Sequence, residues 1–460
     1  MKLFVREKSF YKTFFTLTVT IALQNLIVYS VSFADNVMLG AFSEEALSGV
    51  ALVNQIQFLL QMLTMGIGEG IVVLASQYWG QKDTDSIKKI MNGGLLLGVI
   101  LAAVLWAVVF FAPHQVLRLF TDDEAVIAEG MKYLEIICFS YFFFCMTNIL
   151  ICSLRSVETV RIGFLISLST LVINVCLNYL FIFGNFGAPR LGAAGAAIAT
   201  LAARIVEFAI MICYLKFFDQ KLRIRWKDLL LFDKRLFTQY VKVGSPVIAA
   251  NGIWGIAMAV QTAILGHLGA NAIAANSVAT TVFQVLMVFA TGSASASAVI
   301  TGKTIGEGKI EAVKQYAVTF QILFLIIGVL TGLALFFSRG FVLGFYSISE
   351  ESRAMADEFM IVLSITSVGT SYQMPCLTGI VRGGGDTNFV FINDMIFIWG
   401  FVTPMAALAA FVFHWPPVVV FIFLKSDQVL KCFVAIPKVN RFQWIRRLAE
   451  PEAEPETVTV

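Results

Sequence analysis

A few ionisable and amide side chains lie inside long apolar stretches, and there chemistry is possible. Asp35 sits in Val31-Ser-Phe-Ala-Asp35-Asn-Val-Met-Leu-Gly40, Glu69 in Met65-Gly-Ile-Gly-Glu69-Gly, and Asp394 in Phe391-Ile-Asn-Asp394. Arg204 and Glu207 are three residues apart, a spacing that lets them meet on one helical face, most simply as a structural pair. A charge in hydrocarbon is expensive, so each such group either pairs or does work. Asn174 and Asn178 share one helical face, as do Ala196 and Thr200 four residues apart. Amide oxygens, a hydroxyl, a main-chain carbonyl and a carboxylate form the all-oxygen donor set that a hard cation takes. Spacing alone does not make these helices converge, and paired asparagines also join helices without binding anything. Glu69, flanked by glycines, reads equally as a packing contact.

The surrounding chain is a membrane protein by composition. It is 58% hydrophobic and only 14% charged, against roughly 25% charged for a soluble domain. Twelve apolar segments are long enough to cross a hydrocarbon core of about 30 Å. They lie near residues 13–39, 48–77, 87–112, 129–153, 160–184, 191–215, 239–265, 272–302, 312–338, 355–380, 388–413 and 415–436. Helix 7 is expected to open at Gly244-Ser245-Pro246, and Pro375 and Pro404 are expected to kink their helices. The fold class is all-α integral membrane. A net charge of +3 carries no nucleic-acid footprint. The seven cysteines fall in apolar segments and read as packed free thiols. His114, His267 and His414 have neither metal spacing nor a nucleophile beside them, so an enzyme is not expected. The first span is too long for the apolar core of a cleavable signal, and it follows a basic stretch from Lys2 to Lys12.

The chain also repeats itself at an offset of 226 residues. Leu39-Gly40 returns as Leu265-Gly266, Gly66 as Gly292, Gly80 as Gly306 and Tyr133 as Phe359. Six spans per half make the repeats parallel, the arrangement of secondary transporters with a site between two lobes. Asp35 corresponds to Gln261 and Glu69 to Ser295, so neither carboxylate is duplicated. Shared glycines then belong to the scaffold, and unshared groups to asymmetric jobs such as ion coupling. The expected boundaries are an N-lobe at 1–217, a basic linker at 218–238, a C-lobe at 239–440 and a tail at 441–460, acidic, proline-rich and disordered beyond 450. Basic residues cluster at alternate loops (Lys82, Lys88, Lys89, Arg155, Arg161, the linker, Lys303, Lys309, Lys314, Arg382 and Lys438 to Arg447), with Glu44, Glu45, Asp122 to Glu124, Glu350 and Glu351 on the opposite side. Both termini are therefore expected in the cytoplasm.

Taken in order along a duplicated frame, Asp35-Asn-Val-Met-Leu-Gly40, Ala75-Ser-Gln-Tyr-Trp-Gly80, Asn174-x-x-x-Asn178-Tyr and Arg382-Gly-Gly-Gly-Asp386-Thr387 resemble the multidrug and toxic compound extrusion (MATE) family. The likeness covers nearly the whole chain. It implies twelve helices in two six-helix lobes around a central cleft. It also implies an antiporter that exports organic, cationic or amphipathic compounds against H⁺ or Na⁺ by alternating access. The family's cation site falls on Asp35, Asn174, Asn178, Thr200 and the carbonyl of Ala196, with Na⁺ reaching Asp35, Asn174, Asn178 and Thr200. A second carboxylate set known from one branch has no counterpart. Helix 7 offers Asn251 and Trp254, and helix 10 offers Ser371, Tyr372 and Gln373, which leaves Asp394 as the one C-lobe acid inside the membrane. The chain thus resembles the branch coupling through the N-lobe aspartate. Asn25, Tyr29, Met146, Asn148, Met258, Met287, Tyr372 and Asp394 are the candidates for the substrate cavity, where soft and aromatic groups suit varied ligands. Glu69, Arg204 and Glu207 are charges of open role. No cofactor is expected beyond the coupling ion. The partners are an organic small molecule and the lipid bilayer, and the chain is expected to be a multi-pass monomer of the inner membrane. The alternative within transport is a lipid-linked saccharide flippase, which calls for a strongly basic cavity. A passive channel lacks any filter-like loop.

Overall fold

Every predicted span is helical in the computed structural model, which describes residues 4–346 and 348–449. The acidic end at 450–460 lies outside the described residues. In hydrocarbon a helix satisfies its own backbone, and among the described residues no strand occurs. The spans are α1 (Lys8–Phe42), α2 (Glu44–Gly80), α3 (Thr84–Phe111), α4 (Glu124–Ile137 continued by Ser140–Ser156), α5 (Arg161–Phe181) and α6 (Ala193–Phe217). The second half holds α7 (Lys234–Gly266), α8 (Ala270–Gly306) and α9 (Ile310–Leu343). It ends with α10 (Glu350–Met374, running on through Pro375–Val381), α11 (Thr387–Val412) and α12 (Pro417–Lys425 and Asp427–Asn440). Helix starts are set by side-chain caps: Ser43, Asp83, Asp123, Asp233 and Ser349 each accept a backbone N–H from the first turn.

Three features depart from the expectations. Helix α7 begins at Lys234, capped by Asp233, so Pro246 lies inside the helix rather than at its start. The two parts of α4 meet at 56°. At Pro375–Val381 and in α11 the backbone widens into π-type turns, at Met395–Val402 before Pro404 and at Leu408–Val412 after it. Nine helices among the described residues are long and apolar enough to span on their own, and the bent α4 makes ten. Helix α10 is richer in polar groups and α12 is broken into two short pieces, yet both pack as members of the same bundle.

The lobes are α1–α6 and α7–α12, and the repeat is visible in how they meet. An ideal Cβ on Gly66 of α2 would stand 2.6 Å from the Cα of Ile248 of α7. The repeat-related glycine, Gly292 of α8, lies against Thr18 and Ala22 of α1, and residue 22 is the counterpart of residue 248. Gly80 and Gly306, counterparts themselves, touch each other: a Cβ on Gly80 would fall 2.9 Å from the Cα of Gly306. These glycines let backbones approach where any side chain would push the lobes apart.

Polar links seal the same end of the molecule, the one where α1 begins and α12 ends. Lys303 of α8 pairs with Glu158 at 2.8 Å, and the Tyr240 hydroxyl donates to the Ile67 carbonyl at 2.8 Å. The segment after α12 folds back as a strap. Trp444 is fully buried, Gln77 donates to the Arg446 carbonyl and accepts from the backbone N–H groups of Leu448 and Ala449, and Gln239 donates to the Leu448 carbonyl. The linker is docked on the N-lobe as well, through Lys88–Asp228 at 2.9 Å and two bonds from the Asn92 amide to its backbone.

Candidate functional site

Helices α1, α5 and α6 bring four of the predicted residues together: Asp35, Asn174, Asn178 and Thr200. The Asn178 amide donates to Asp35 Oδ1 and, at 3.1 Å, to Asn174 Oδ1; the Asn174 amide donates to Thr200 Oγ1 at 3.1 Å. Asn174 and Asn178 are fully buried, and Asn178 Oδ1 is buried with no hydrogen-bond partner among the described residues. An orphaned amide oxygen beside a carboxylate is costly unless something donates to it or coordinates it. Ala196 is buried one turn before Thr200 on α6. The acceptors of this cluster are oxygens of a carboxylate, two amides and a hydroxyl, a hard donor set.

The cluster opens on a cavity of about 430 Å³ between the lobes. Asp35, Thr200, Asn25 and Asn148 line it, and Asn25 donates across the lobe boundary to Thr291 at 3.2 Å. Tyr133 lines it too, beside Gln57 and Thr200 in the same wall. The repeat held a signal for Tyr133, because its counterpart Phe359 lacks the hydroxyl. The other substrate candidates stand elsewhere. Met146 faces a separate apolar pocket of about 570 Å³ with Phe142 and Phe208. The Tyr372 hydroxyl donates to Gln321 at 2.8 Å, Met287 lies beside Ser371, and Tyr29 and Met258 are outside the cavity walls.

Six charged side chains line this cavity: Asp35, Glu69, Glu207, Arg155, Arg204 and Arg382. Arg204 pairs with Glu207 at 2.7 Å and stacks over Phe144. Glu69 Oε2 takes Arg382 at 2.9 Å and the Asn251 amide at 3.2 Å, both from the other lobe. Arg155 and Arg382, grouped by sequence with the loop residues that set orientation, therefore form part of the cavity wall. Asp394 does not reach the cavity: it pairs with Lys431 at 2.8 Å, and Lys431 also holds Asp427 at 3.3 Å. Asp427 lies within the predicted twelfth span, so Asp394 is not the only acid there.

A duplicated helical bundle with a charged cavity between its lobes is the architecture of a secondary transporter. The chain belongs to the MatE family, whose model matches residues 20–180 and 246–408. A probable multidrug resistance protein NorM of Listeria innocua is 27% identical over 397 residues, covering 85% of each chain. The uncharacterized transporter YisQ of Bacillus subtilis is 23% identical over 402 residues, 86% of this chain and 87% of its own. Among solved structures, a mutant of the Vibrio cholerae MATE transporter VcmN aligns with a TM-score of 0.86 at 18% identity, covering 96% of this chain and 98% of that one. A MATE family transporter of the MOP superfamily in an outward-facing conformation aligns with a TM-score of 0.84 at 18% identity, over 94% and 96%. At that identity the likeness speaks to the fold, twelve helices in two lobes. The chain is a multi-pass membrane transporter.

Proposed function

We propose that the protein exports organic, amphipathic compounds across the inner membrane in exchange for H⁺ or Na⁺, with the Asp35 cluster as the coupling site. The observation that carries this reading is the position of Asp35: hydrogen-bonded by a neutral amide, with no cation in ion-pair distance among the described residues, on the wall of the interlobe cavity. A carboxylate so placed can give and take a proton, and the oxygens of Asn174, Asn178 and Thr200 offer the same position to Na⁺. Relatives that bear the name multidrug resistance protein support an exporter of drug-like cargo.

With both termini cytoplasmic, the seal formed by Gly66, Gly80 and the strap is the inner gate, and the cavity belongs to an outward-facing state. Entry of the ion from outside reshapes the N-lobe wall and expels cargo. Loss of the ion inside resets the pump. Only an ion that binds the two states unequally drives this cycle. The ion-exchanging group sits in the N-lobe alone, since the C-lobe acids Asp394 and Asp427 are tied to Lys431. Cavity charge argues against the flippase alternative: three arginines stand against three acids, a net charge of zero over the whole lining, where a pyrophosphate calls for a strongly basic cavity.

The test is export from reconstituted vesicles, measured first across Na⁺ concentrations at fixed pH and then across pH without Na⁺. Cargo movement that ignores both gradients would overturn the reading.

A further inference from the structure

Among the described residues, Arg155 is the one cavity arginine with no carboxylate in ion-pair distance. Arg204 has Glu207, and Arg382 has Glu69. Among the described residues Arg155 has no carboxylate within ion-pair distance, and its Nε is buried without a hydrogen-bond partner. It lies at the end of α4, close to Cys152, which is within electrostatic reach of both Arg155 and Glu69. Two arginines and one glutamate therefore gather where the cavity meets the inner seal, a surplus of one positive charge. A guanidinium is costly to hold at this depth without a partner, and its planar fork matches a carboxylate bidentately.

The opposite end of the cavity has the opposite character. Asp35 lies seven residues from the outer end of α1 (42 − 35), about 10 Å along the axis, and Glu69 lies eleven residues from the inner end of α2 (80 − 69), about 16 Å. Among the described residues Asp35 has no cation, and Arg155 no carboxylate, within ion-pair distance. The same cavity wall carries Phe58, Phe144, Tyr133 and Tyr141.

We infer that Arg155 receives an anionic group of the cargo, so that the cavity is built for zwitterionic aromatic compounds, a carboxylate towards the inner seal and a cation towards Asp35. This rests on the export reading and specifies its cargo. A simple monocation would leave the arginine unanswered.

The probes are tetramethylrhodamine with its free carboxylate and the methyl ester of the same dye, which keeps the aromatic cation and removes the anion. Binding is followed by fluorescence anisotropy on the full-length protein in lipid nanodiscs, at constant ionic strength and neutral pH. Wild type should bind the carboxylate form about tenfold more tightly than the ester, the effect of one charge-assisted pair. Arg155→Gln should erase the preference. Arg155→Lys keeps the charge but loses the fork and should retain a preference of a few-fold, which also decides the matter if the glutamine variant does not fold. Equal binding of the two dyes by wild type, or an intact preference in Arg155→Gln, overturns the inference while ester binding leaves the export reading standing. If vesicles neither bind nor export either dye, both fail.

Discussion

Arg382 Nη2 stands 2.9 Å from Glu69 Oε2 and so ties the middle of α2 in one lobe to the inner end of α10 in the other. Both side chains are mostly buried, at 12% and 16% exposure, and Asn251 of α7 completes the junction. Glu69→Gln removes the counter-charge and leaves Arg382 stranded. The cost should fall at the lower end of the ~3–5 kcal/mol seen when a buried pair loses one member. The melting temperature in nanodiscs should drop, the double variant Glu69→Gln/Arg382→Gln should recover part of the loss, and ion-driven export should remain measurable. Wild-type melting with no export would instead make Glu69 a working group of the cycle.

The fold was largely legible because hydropathy and the repeat report on lipid and on backbone contact. The offset of 226 singled out Gly66, Gly80, Gly292 and Gly306, and all four lie at the lobe interface. Asn174 and Asn178 were legible through helical spacing. Arg155 and Arg382 were not, since a basic residue near the end of a span reads as an orientation signal until neighbouring helices show which way it faces. Lys431 and Asp427 escaped for a related reason: a window as long as a span averages isolated charges away, and two opposite charges one turn apart neutralise each other on one helix. The start of α7 was misplaced because Gly244-Ser245-Pro246 mimics a helix opening. In the structure Gly244 instead meets Gly70 across the interface, with a Cβ on Gly70 only 3.0 Å from its Cα.

The Asp394–Lys431–Asp427 cluster leads to a second expectation. Asp394→Asn leaves Lys431 paired with Asp427 at 3.3 Å, so the C-lobe keeps one counter-charge. Thermal stability should fall by about 1–2 kcal/mol, the scale of one hydrogen bond to a charged group, and the dependence of export on ions should persist. Loss of ion-driven export in Asp394→Asn, with export preserved in Asp35→Asn, would move coupling to the C-lobe.

Gln77 offers a test of the strap. Its amide carries bonds to Arg446, Leu448 and Ala449, and Gln77→Leu deprives all three backbone groups of their partner. At about 1 kcal/mol per bond the strap should loosen well before the bundle does. Trypsin should then cut after Arg446 or Arg447 much faster than in wild type, and the midpoint of unfolding should fall. Unchanged cleavage would mean that burial of Trp444, not Gln77, holds the strap.

Asp35 is the position on which the coupling reading depends most. Asp35→Asn keeps the shape of the side chain and removes its charge. Asn178 can rotate its amide to meet the new group, and Asn174 and Thr200 remain bonded to each other. The variant should therefore fold, melt close to wild type and still bind cargo, more weakly by the loss of the charge that faces the cargo's cation, but lose gradient-driven export altogether. Asn178→Ala takes away both the donor to Asp35 and the orphaned oxygen beside it. Its ion dependence should shift to roughly tenfold higher ion concentration, the consequence of losing about 1.4 kcal/mol of ion binding, with a smaller change in cargo affinity. Export and cargo binding measured on the same reconstituted samples separate these outcomes. Export at the wild-type rate by Asp35→Asn would end the coupling model, and failure of the variant to fold would return Asp35 to a structural role, because a residue whose charge only supports packing has no reason to separate binding from transport.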